Sequence, residues 1–516
     1  MAIRNRQVNV EVTRALVNFP YFVLKNEITT GYNLYTKEIL EIKQNYIDYK
    51  NGVDFVTEGS GGDYVPSQIR FKRVKTLLDK EARYMFSQTP DINVQAVNEG
   101  EEENIKQYQE LINKVISKNN FGKKLLQSAK DCFIGKRVAC LVDYSEQDGV
   151  QIHFYDSLQF YYETEYGSDR LTKFISFEYV NKTKTNSEKL YLVKRYEERD
   201  SKIYFKCTLF GGNGVIINEI IPEQEIDLKY IPAIIIQNDG LLSDKHGISE
   251  IEDLIEYEQG FSKLANSDID SERKGMNPIR YTVDIDPRTT KGLSSGAGAF
   301  WDLTHNMNVN DPKPLVGTLA PAMNHTESVK TTLERLDTAM HNEVDVPNIS
   351  KEGLLSGITS FKALKALYYP LTVRCNEKMK TWKPAIEFIF RTVIDLAVLN
   401  REQSIEYYVL TDLEEKQFYV EVVENYALID DENEEKEIDL AEIAQNARSR
   451  KSYIKKWRGS EFKSDEQIEQ ELMQIAIELN MFDTMSMNAQ VQTELNSKGT
   501  KQKVEQNIDE EEIEEI

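Results

Sequence analysis

From the start of the chain to about Asn120, apolar residues recur at steps of three and four, and the elements they predict are helices. Leu34, Ile39, Ile42 and Tyr46 mark a helix over Tyr32–Tyr49 that Gly52 stops, and a polar, Gly-rich loop follows at Glu58–Asp63. Val74, Leu77, Leu78, Ala82 and Met85 mark the next helix, ending ahead of Pro90, and Ile105–Ile116 and Leu125–Phe133 mark two more. From Lys136 to Gln237 the period drops to two, in runs such as Val138, Cys140, Val142 and Phe205, Cys207, Leu209, with turn signals at Gln147–Gly149, Gly167–Asp169 and Gly211–Gly214. Aromatic enrichment and alternation together predict one antiparallel β module, closed by a strand at Tyr230–Asn238.

Two helices then flank an irregular insert, and the rest of the chain is organised around them. The first opens at Ser249 with Glu252 three places on, the spacing of a reciprocal cap, and carries apolar residues at Ile251, Leu254, Ile255, Phe261, Leu264 and Ile269. Glu250, Glu252, Asp253, Glu256, Glu258, Asp268 and Asp270 fill its other faces, which predicts a narrow apolar seam under a wide acidic coat, packed against neighbours and not sunk in a core. The insert begins at Gly275–Pro278, continues as a strand over Ile279–Ile285, and ends near Pro312, Pro314 and Pro321. Asn324 and Glu327 repeat the cap spacing ahead of the second helix, whose stripe is Val329, Leu333, Leu336, Met340 and Val344. These helices are too narrowly apolar to stand alone, so more of the chain or other copies of it must cover them.

A loop with Pro347, Gly353 and Gly357 follows, and then a long helix over Ser360–Asn400 striped by Leu364, Leu367, Leu371, Cys375, Met379, Trp382, Ile386, Ile389, Val393 and Leu396. Continuous, it would reach about 60 Å, with bends expected at Pro370 and Pro384, where a backbone donor is lost. Ser404–Leu410 and Gln417–Val423 read as strands completing the β module. An acidic linker, Asp430–Glu437, leads to short helices at Ile438–Arg448, Ser452–Trp457 and Ser464–Leu479, and beyond Met487 the chain is polar, ending in the acidic run Asp509–Glu515 that reads as a disordered tail.

Composition and charge narrow the function. The 516 residues allow several domains, and a net charge of -23 disfavours general nucleic-acid or anionic-membrane binding. Apolar runs such as Ala233–Ile236 fall far short of a membrane span. Cys132, Cys140, Cys207 and Cys375 are too scattered for a zinc site or a disulfide framework and are expected as reduced core thiols. The Gly292–Gly298 run lacks the Lys and the context of a phosphate-binding loop, and the histidines stand singly, so neither a nucleotide nor a metal cofactor is expected. Paired Asp and Glu residues could form a hydrolytic dyad, but no local signature singles one out.

Four stretches nevertheless share an order and spacing over about 480 residues: Tyr46–Gly52 with Val74–Pro90; Ile231, Pro232 and Asn238 ahead of Ile251–Ile269; Pro347 through Ser356, Gly357, Ser360, Ala363 and Leu364; and Arg448, Ser449, Ser452 with Trp457. In these the chain resembles the portal proteins of tailed bacteriophages of Gram-positive hosts. It departs from the family's Ser-Gly-x-Ala-Leu pattern, because Ile358–Lys362 separate Gly357 from Ala363 and Leu364.

The resemblance implies an α+β, mainly α, portal-protein fold: a helical and β wing over 1–248, stem helices at 249–275 and 324–346, and a small α/β clip at 276–323. A tunnel loop at 347–359, the long kinked helix and wing strands at 360–430, a helical crown at 431–487 and a tail at 488–516 complete it. It further implies a ring, commonly of twelve subunits, at one capsid vertex of the virion, assembled in the host cytoplasm. Double-stranded DNA would pass through the ring, with large terminase, a head-tail adaptor, and scaffolding and major capsid proteins as partners, no membrane, no metal and no catalytic residue. The tunnel loop would present Asn348, Ser350, Lys351, Glu352 and Ser356, Lys351 being the candidate for a transient phosphate contact. Glu250, Glu256, Asp268, Glu334 and Asp337 would face the channel from the stem, where an acidic surface lets a polyanion slide. Arg280, Arg288, Lys291 and Lys313 of the clip would meet acidic partner surfaces. A carboxylate-dependent hydrolase and a ring scaffold or adaptor without DNA passage are the competing classes; activity of a compact monomer, or a ring without transport, would mark them.

Overall fold

The computed structural model describes residues 32–56, 65–97, 102–180, 190–286, 315–319, 325–349, 361–426, 432–458 and 467–477, with positions 288 and 303 and apart from short breaks at 213, 239, 245, 277–278, 403, 405–406, 409, 411–416 and 446. These residues fall into two compact units, divided after Leu428.

The first unit opens with α1 (Tyr32–Asn51) and α2 (Arg73–Phe86), followed by β1 (Asp91–Ala96), α3 (Glu102–Asn119) and α4 (Phe121–Gly135). The stripe read from sequence on α2 is the buried one: Val74, Leu77, Leu78, Ala82 and Met85 all join the main core. The β module then runs through β2 (Arg137–Ser145), β3 (Gly149–Asp156), β4 (Phe160–Thr164), β5 (Leu171–Tyr179), β6 (Leu190–Arg199), β7 (Lys202–Gly211), β8 (Ile216–Ile226) and β9 (Ala233–Gln237). It is antiparallel throughout, as expected, and consists of two sheets ordered β3-β2-β9 and β4-β5-β6-β7-β8.

The central strand β2 explains the division. Val138, Cys140 and Val142 enter the core shared with the helices, while Ala139 and Leu141 enter a second core with Tyr155, Phe160, Phe174, Tyr196 and Phe205. Alternating residues go to opposite faces of a strand, so a strand apolar at every position can wall two cores at once. Strands β4 and β8 are absent from the sequence reading; β8 is exposed at nearly every position and carries Pro222, so it shows no alternation to read.

Helix α5 (Ile251–Met276), the ribbon strands β10 (Ile279–Val283) and β11 (Leu315–Leu319), helix α6 (Thr326–Glu343) and the long helix α7 (Phe361–Leu399) follow. α7 is one helix across both prolines, and Pro370 and Pro384 both lie on its exposed side, where a missing N–H is least costly. Of its expected stripe, Leu364 is half-buried and Leu367 exposed, and from Leu371 onward Leu371, Cys375, Met379, Trp382, Ile386, Ile389, Val393 and Leu396 are buried.

Strand β12 (Phe418–Val423) closes the unit by pairing antiparallel with β1, from Asp91 opposite Val423 to Ala96 opposite Phe418. The expectation that it completes the β module is therefore corrected. Among Ser404–Leu410 none of the described residues, 404, 407, 408 and 410, is in a strand; Tyr407 N donates to Ser404 O and Leu410 N to Tyr407 O, as in turns. The Tyr407 hydroxyl accepts the Val150 N–H at 3.1 Å, so this segment covers the β2–β3 turn.

The second unit holds α8 (Glu432–Ala444), α9 (Arg450–Arg458) and a helical stretch at 467–477. Asp439 ties it together by accepting from Trp457 Nε1 at 2.6 Å and pairing with Lys456 at 3.1 Å and with Arg448. Helix α8 starts inside the expected acidic linker. The expected tail lies outside the described residues. The four cysteines are free and buried, as expected, and no described helix is long and apolar enough to cross a membrane.

Gly247, in the turn between β9 and α5, has φ +76°, and a Cβ there would meet Lys136 O at 2.3 Å and Asn238 O at 2.8 Å. Gly247→Ala is expected to destabilise the protein by roughly 2–3 kcal/mol, from left-handed strain plus backbone contact, read as a lower denaturant midpoint at unchanged slope.

Candidate functional site: the paired helices and their anchorage

Helix α5 is anchored at its start by polar groups that belong to other elements. Glu250 N donates to Phe133 O at 3.0 Å, and the Ser249 hydroxyl donates to Ile134 O at 2.6 Å. These are final carbonyls of α4, which lack partners within their own helix. Ser249 therefore closes the end of α4 and not the start of its own helix, so the expected reciprocal cap with Glu252 is replaced; Glu252 accepts from Asn45 Nδ2 at 3.3 Å and pairs with Lys136 at 3.4 Å. The second helix lacks a side-chain cap at its N-cap residue, His325, and Asn324 lies outside the described residues.

Next to this junction sits a buried cluster of four charges. Glu81 of α2 is fully buried and Glu250 is 4% exposed. Arg374 Nε reaches Glu81 at 2.9 Å and its Nη2 reaches Glu250 at 3.1 Å. Lys378, one turn further along α7, contacts Glu81 at 2.6 Å and also Glu250, with its ammonium 3.7 Å from the Phe133 ring centroid. Asn238 Nδ2 donates to Glu250 at 3.1 Å, and Arg374 Nη1 donates to the Glu343 carbonyl at the end of α6 at 3.2 Å. Burial raises the Glu250 carboxyl, but Lys378 and Arg374 more than reverse this and hold it low, at about 2. Burial and then the Glu250 charge push Glu81 up instead, to about 7. The start of α5, the end of α6, α2 and α7 thus meet at one charge-balanced point.

A second polar feature runs along α5. Glu258, Ser262, Asn266 and Asp270, spaced by four and so on one face, are all buried. Three of them bind the backbone of the segment 65–72 and of the first turn of α2. Asp270 accepts the Ser67 N–H at 3.1 Å on each oxygen, and Asn266 both accepts the Ile69 N–H and donates to the Ile69 carbonyl, each at 2.8 Å. Glu258 accepts the Val74 N–H at 2.7 Å. Val74 lies in the first turn of α2, whose N-cap Lys72 supplies no side-chain cap, so Glu258 caps that helix from elsewhere in the chain.

The expected acidic coat is thereby corrected. Glu258 and Asp270 dock backbone, and Glu250 is an internal ion-pair member, so it does not line a surface. One face of the stretch from Ile251 to Ala265 is likewise covered by the chain's own residues, with Ile251, Leu254, Ile255 and Phe261 in the main core, while Asp253, Glu256, Gln259 and Lys263 stay exposed. Helix α6 keeps the expected narrow character, for Val329, Leu333 and Leu336 are only half-buried and Met340 with His341 alone are buried. The two helices approach where Gly260 faces Leu336 Cδ1, 3.9 Å from a Cβ built at that glycine.

Of the other expected stem residues, Glu256 and Glu334 are exposed and Asp268 is half-buried. Asp337 is engaged within the chain: it pairs with Arg73 of α2 and accepts from Asn348 Nδ2 at 3.3 Å. The Arg73 guanidinium lies 4.3 Å from the Phe261 ring centroid on α5. Beyond α6 the chain folds back, with Val346 N donating to His341 O at 3.1 Å and the neutral His341 ring, its pKa lowered by burial, donating from Nδ1 to Val346 O at 2.8 Å. Ser350, Lys351, Glu352 and Ser356 lie outside the described residues, as do Lys291 and Lys313. Arg280 stands on β10 opposite Thr318, and Arg288 is exposed, its N–H donating to Asp286 at 2.9 Å.

Glu81, Arg374, Lys378, Arg73 and Asn266 were missed by sequence reading. The four-residue spacing of Glu258, Ser262, Asn266 and Asp270 was the available signal, since solvated acids need no such register.

A cleft of about 260 Å³ on the β side is the other candidate, lined by Lys124, Asp131, His153, Tyr155, Asp156 and Glu178 among others. Burial, and then the neighbouring Asp156 charge, push Asp131 up to about 7; burial also raises Asp156.

The chain is thus α+β, with two paired helices that carry a two-stranded ribbon in the insert between them and root in a helical and β body. The family model described as phage portal protein, SPP1 Gp6-like, matches residues 23–481, and the chain belongs to that family. No curated protein matches it. Among solved structures, a chain of the virion of a native gene transfer agent (GTA) particle is similar at 9% identity, covering 74% of this chain and 88% of that one with a TM-score of 0.37. A chain of the neck of an empty GTA particle computed with C6 symmetry is similar at 10% identity, covering 74% and 88%, with a TM-score of 0.39.

Glu250→Ala leaves Arg374 and Lys378 with one carboxylate and is expected to cost roughly 3–5 kcal/mol in denaturant unfolding. Asp131 keeps its proton in the folded chain up to about 7 but releases it near 3.8 when unfolded. The stability this carboxyl contributes is whole below about pH 4 and is lost as pH rises towards 7. Asp131→Asn should therefore gain stability relative to the wild type between pH 4 and 7, with no further gain above, in melts across that range.

Proposed function

We propose that the chain assembles into a closed ring, commonly of twelve copies, at one vertex of a phage capsid, and that double-stranded DNA passes along its axis during packaging and ejection. Membership of the portal family over residues 23–481 is the observation that carries this reading. The helix pair is consistent with it. Glu256, Glu272, Glu327 and Glu334 are exposed there, interspersed with exposed Lys263, Arg273, Lys274, Lys330 and Arg335. A surface on which the two signs alternate is not a continuous phosphate-binding patch, and a duplex can move past it. Lys351 supplies a transient phosphate contact from the loop after α6. The segment between the paired helices, with Arg280, Arg288, Lys291 and Lys313, docks the acidic surfaces of large terminase and later of a head-tail adaptor. The chain acts without catalysis, and its location is the virion, after assembly in the host cytoplasm with scaffolding and major capsid proteins.

Native mass measurement of the purified chain is expected to give a particle of about twelve chain masses, with an axial hole by electron microscopy. A folded monomer at micromolar concentration would overturn the reading. Joint replacement of Arg280, Arg288, Lys291 and Lys313 by Ala should leave the ring mass unchanged and lower terminase or adaptor capture at least tenfold; unaltered capture would remove those residues from the docking surface.

A further inference from the structure

Arg73 touches every element that defines the helix pair. It is the first residue of α2, and the N–H of the next residue, Val74, is held by Glu258 of α5. Its guanidinium lies on Phe261 of α5 and binds Asp337 of α6, and the other oxygen of Asp337 takes the Asn348 amide from the turn beyond α6. A planar guanidinium can stack on a ring and bind a carboxylate in fixed directions at the same time, which an ammonium cannot do. The segment ahead of it is bound to α5 at Ser67 and Ile69, so it cannot shift without moving the residue that grips α6.

We propose that Arg73 is the positioning residue of the helix pair, acting through Asp337: it fixes the separation of α5 and α6 and passes any displacement of segment 65–74 to the turn at 344–349. This rests on the portal reading for its consequence, which is that the clasp sets how freely DNA moves past the stem.

The test uses the full chain with Arg73→Gln, Asp337→Asn, the two combined, and Arg73→Lys. Ring mass by native mass spectrometry, hydrogen exchange at the Val346 amide, and DNA uptake in a packaging assay are measured on each. Rings of unchanged mass are expected. Val346 exchange should rise roughly fivefold to tenfold in either single variant, the effect of losing one charge-assisted bond, and no further in the double variant. DNA uptake should change in the same order, with Arg73→Lys recovering part of both effects. Unaltered exchange at Val346, or single effects that add in the double variant, would overturn the clasp. Raised exchange with identical DNA uptake in every variant would overturn its role in transport. If wild-type rings take up no DNA, the portal reading fails and the exchange data still judge the clasp.

Discussion

The contact on which the arrangement depends is the buried meeting of Glu81, Glu250, Arg374 and Lys378. Four charges are taken out of water there, each costing several kcal/mol before compensation. They are tolerable because the two signs balance and each cation touches both carboxylates. Such a cluster adds little net stability compared with an apolar core of the same volume, but it is intolerant of any partner being moved or removed. Its members come from α2, the entry to α5, and α7, and Arg374 also holds the last carbonyl of α6. The geometry of the helix pair at its root is thus set by an interaction that has one satisfied arrangement.

Away from that root, α5 is held by side chains that read backbone. Asn266 gives Ile69 the donor and acceptor that a neighbouring strand would give, and Asp270 and Glu258 take the flanking N–H groups. This lets a segment that pairs with no strand lie along a helix with the peptide groups of Ser67 and Ile69 satisfied, which a purely apolar face of α5 could not do. The same face then passes to Phe261 and the Arg73 contact, so polar docking and apolar packing share one register.

Much of this was legible in sequence, and the failures have a common physical cause. The stripes on α2, α6 and α7 and the strands β2, β5, β6 and β7 follow from periodicity, because burial of one face imposes it locally. The acids of α5 were misread because periodicity reports spacing and not partners: Glu256, exposed, and Glu258, buried, differ only in what the fold brings opposite them, and the partner of Glu258 is 184 residues away. Ser249 was read as a local cap when the nearest unpaired carbonyls belonged to α4. Strand β1 was missed because six residues with three apolar positions give too short a pattern, and Ser404–Leu410 was overread for the opposite reason, its apolar residues serving to cover a turn. Lys351, Lys291 and Lys313 lie in stretches the structure does not describe, so for them the sequence reading stands alone.

Strand β2 serves two cores, with Val138, Cys140 and Val142 on one side and Ala139 and Leu141 on the other. It follows that the helical half and the β half of this unit have no seam along which one could melt while the other stayed ordered. Pulling the strand out strips both at once. Whatever load reaches one half is passed through this strand to the other.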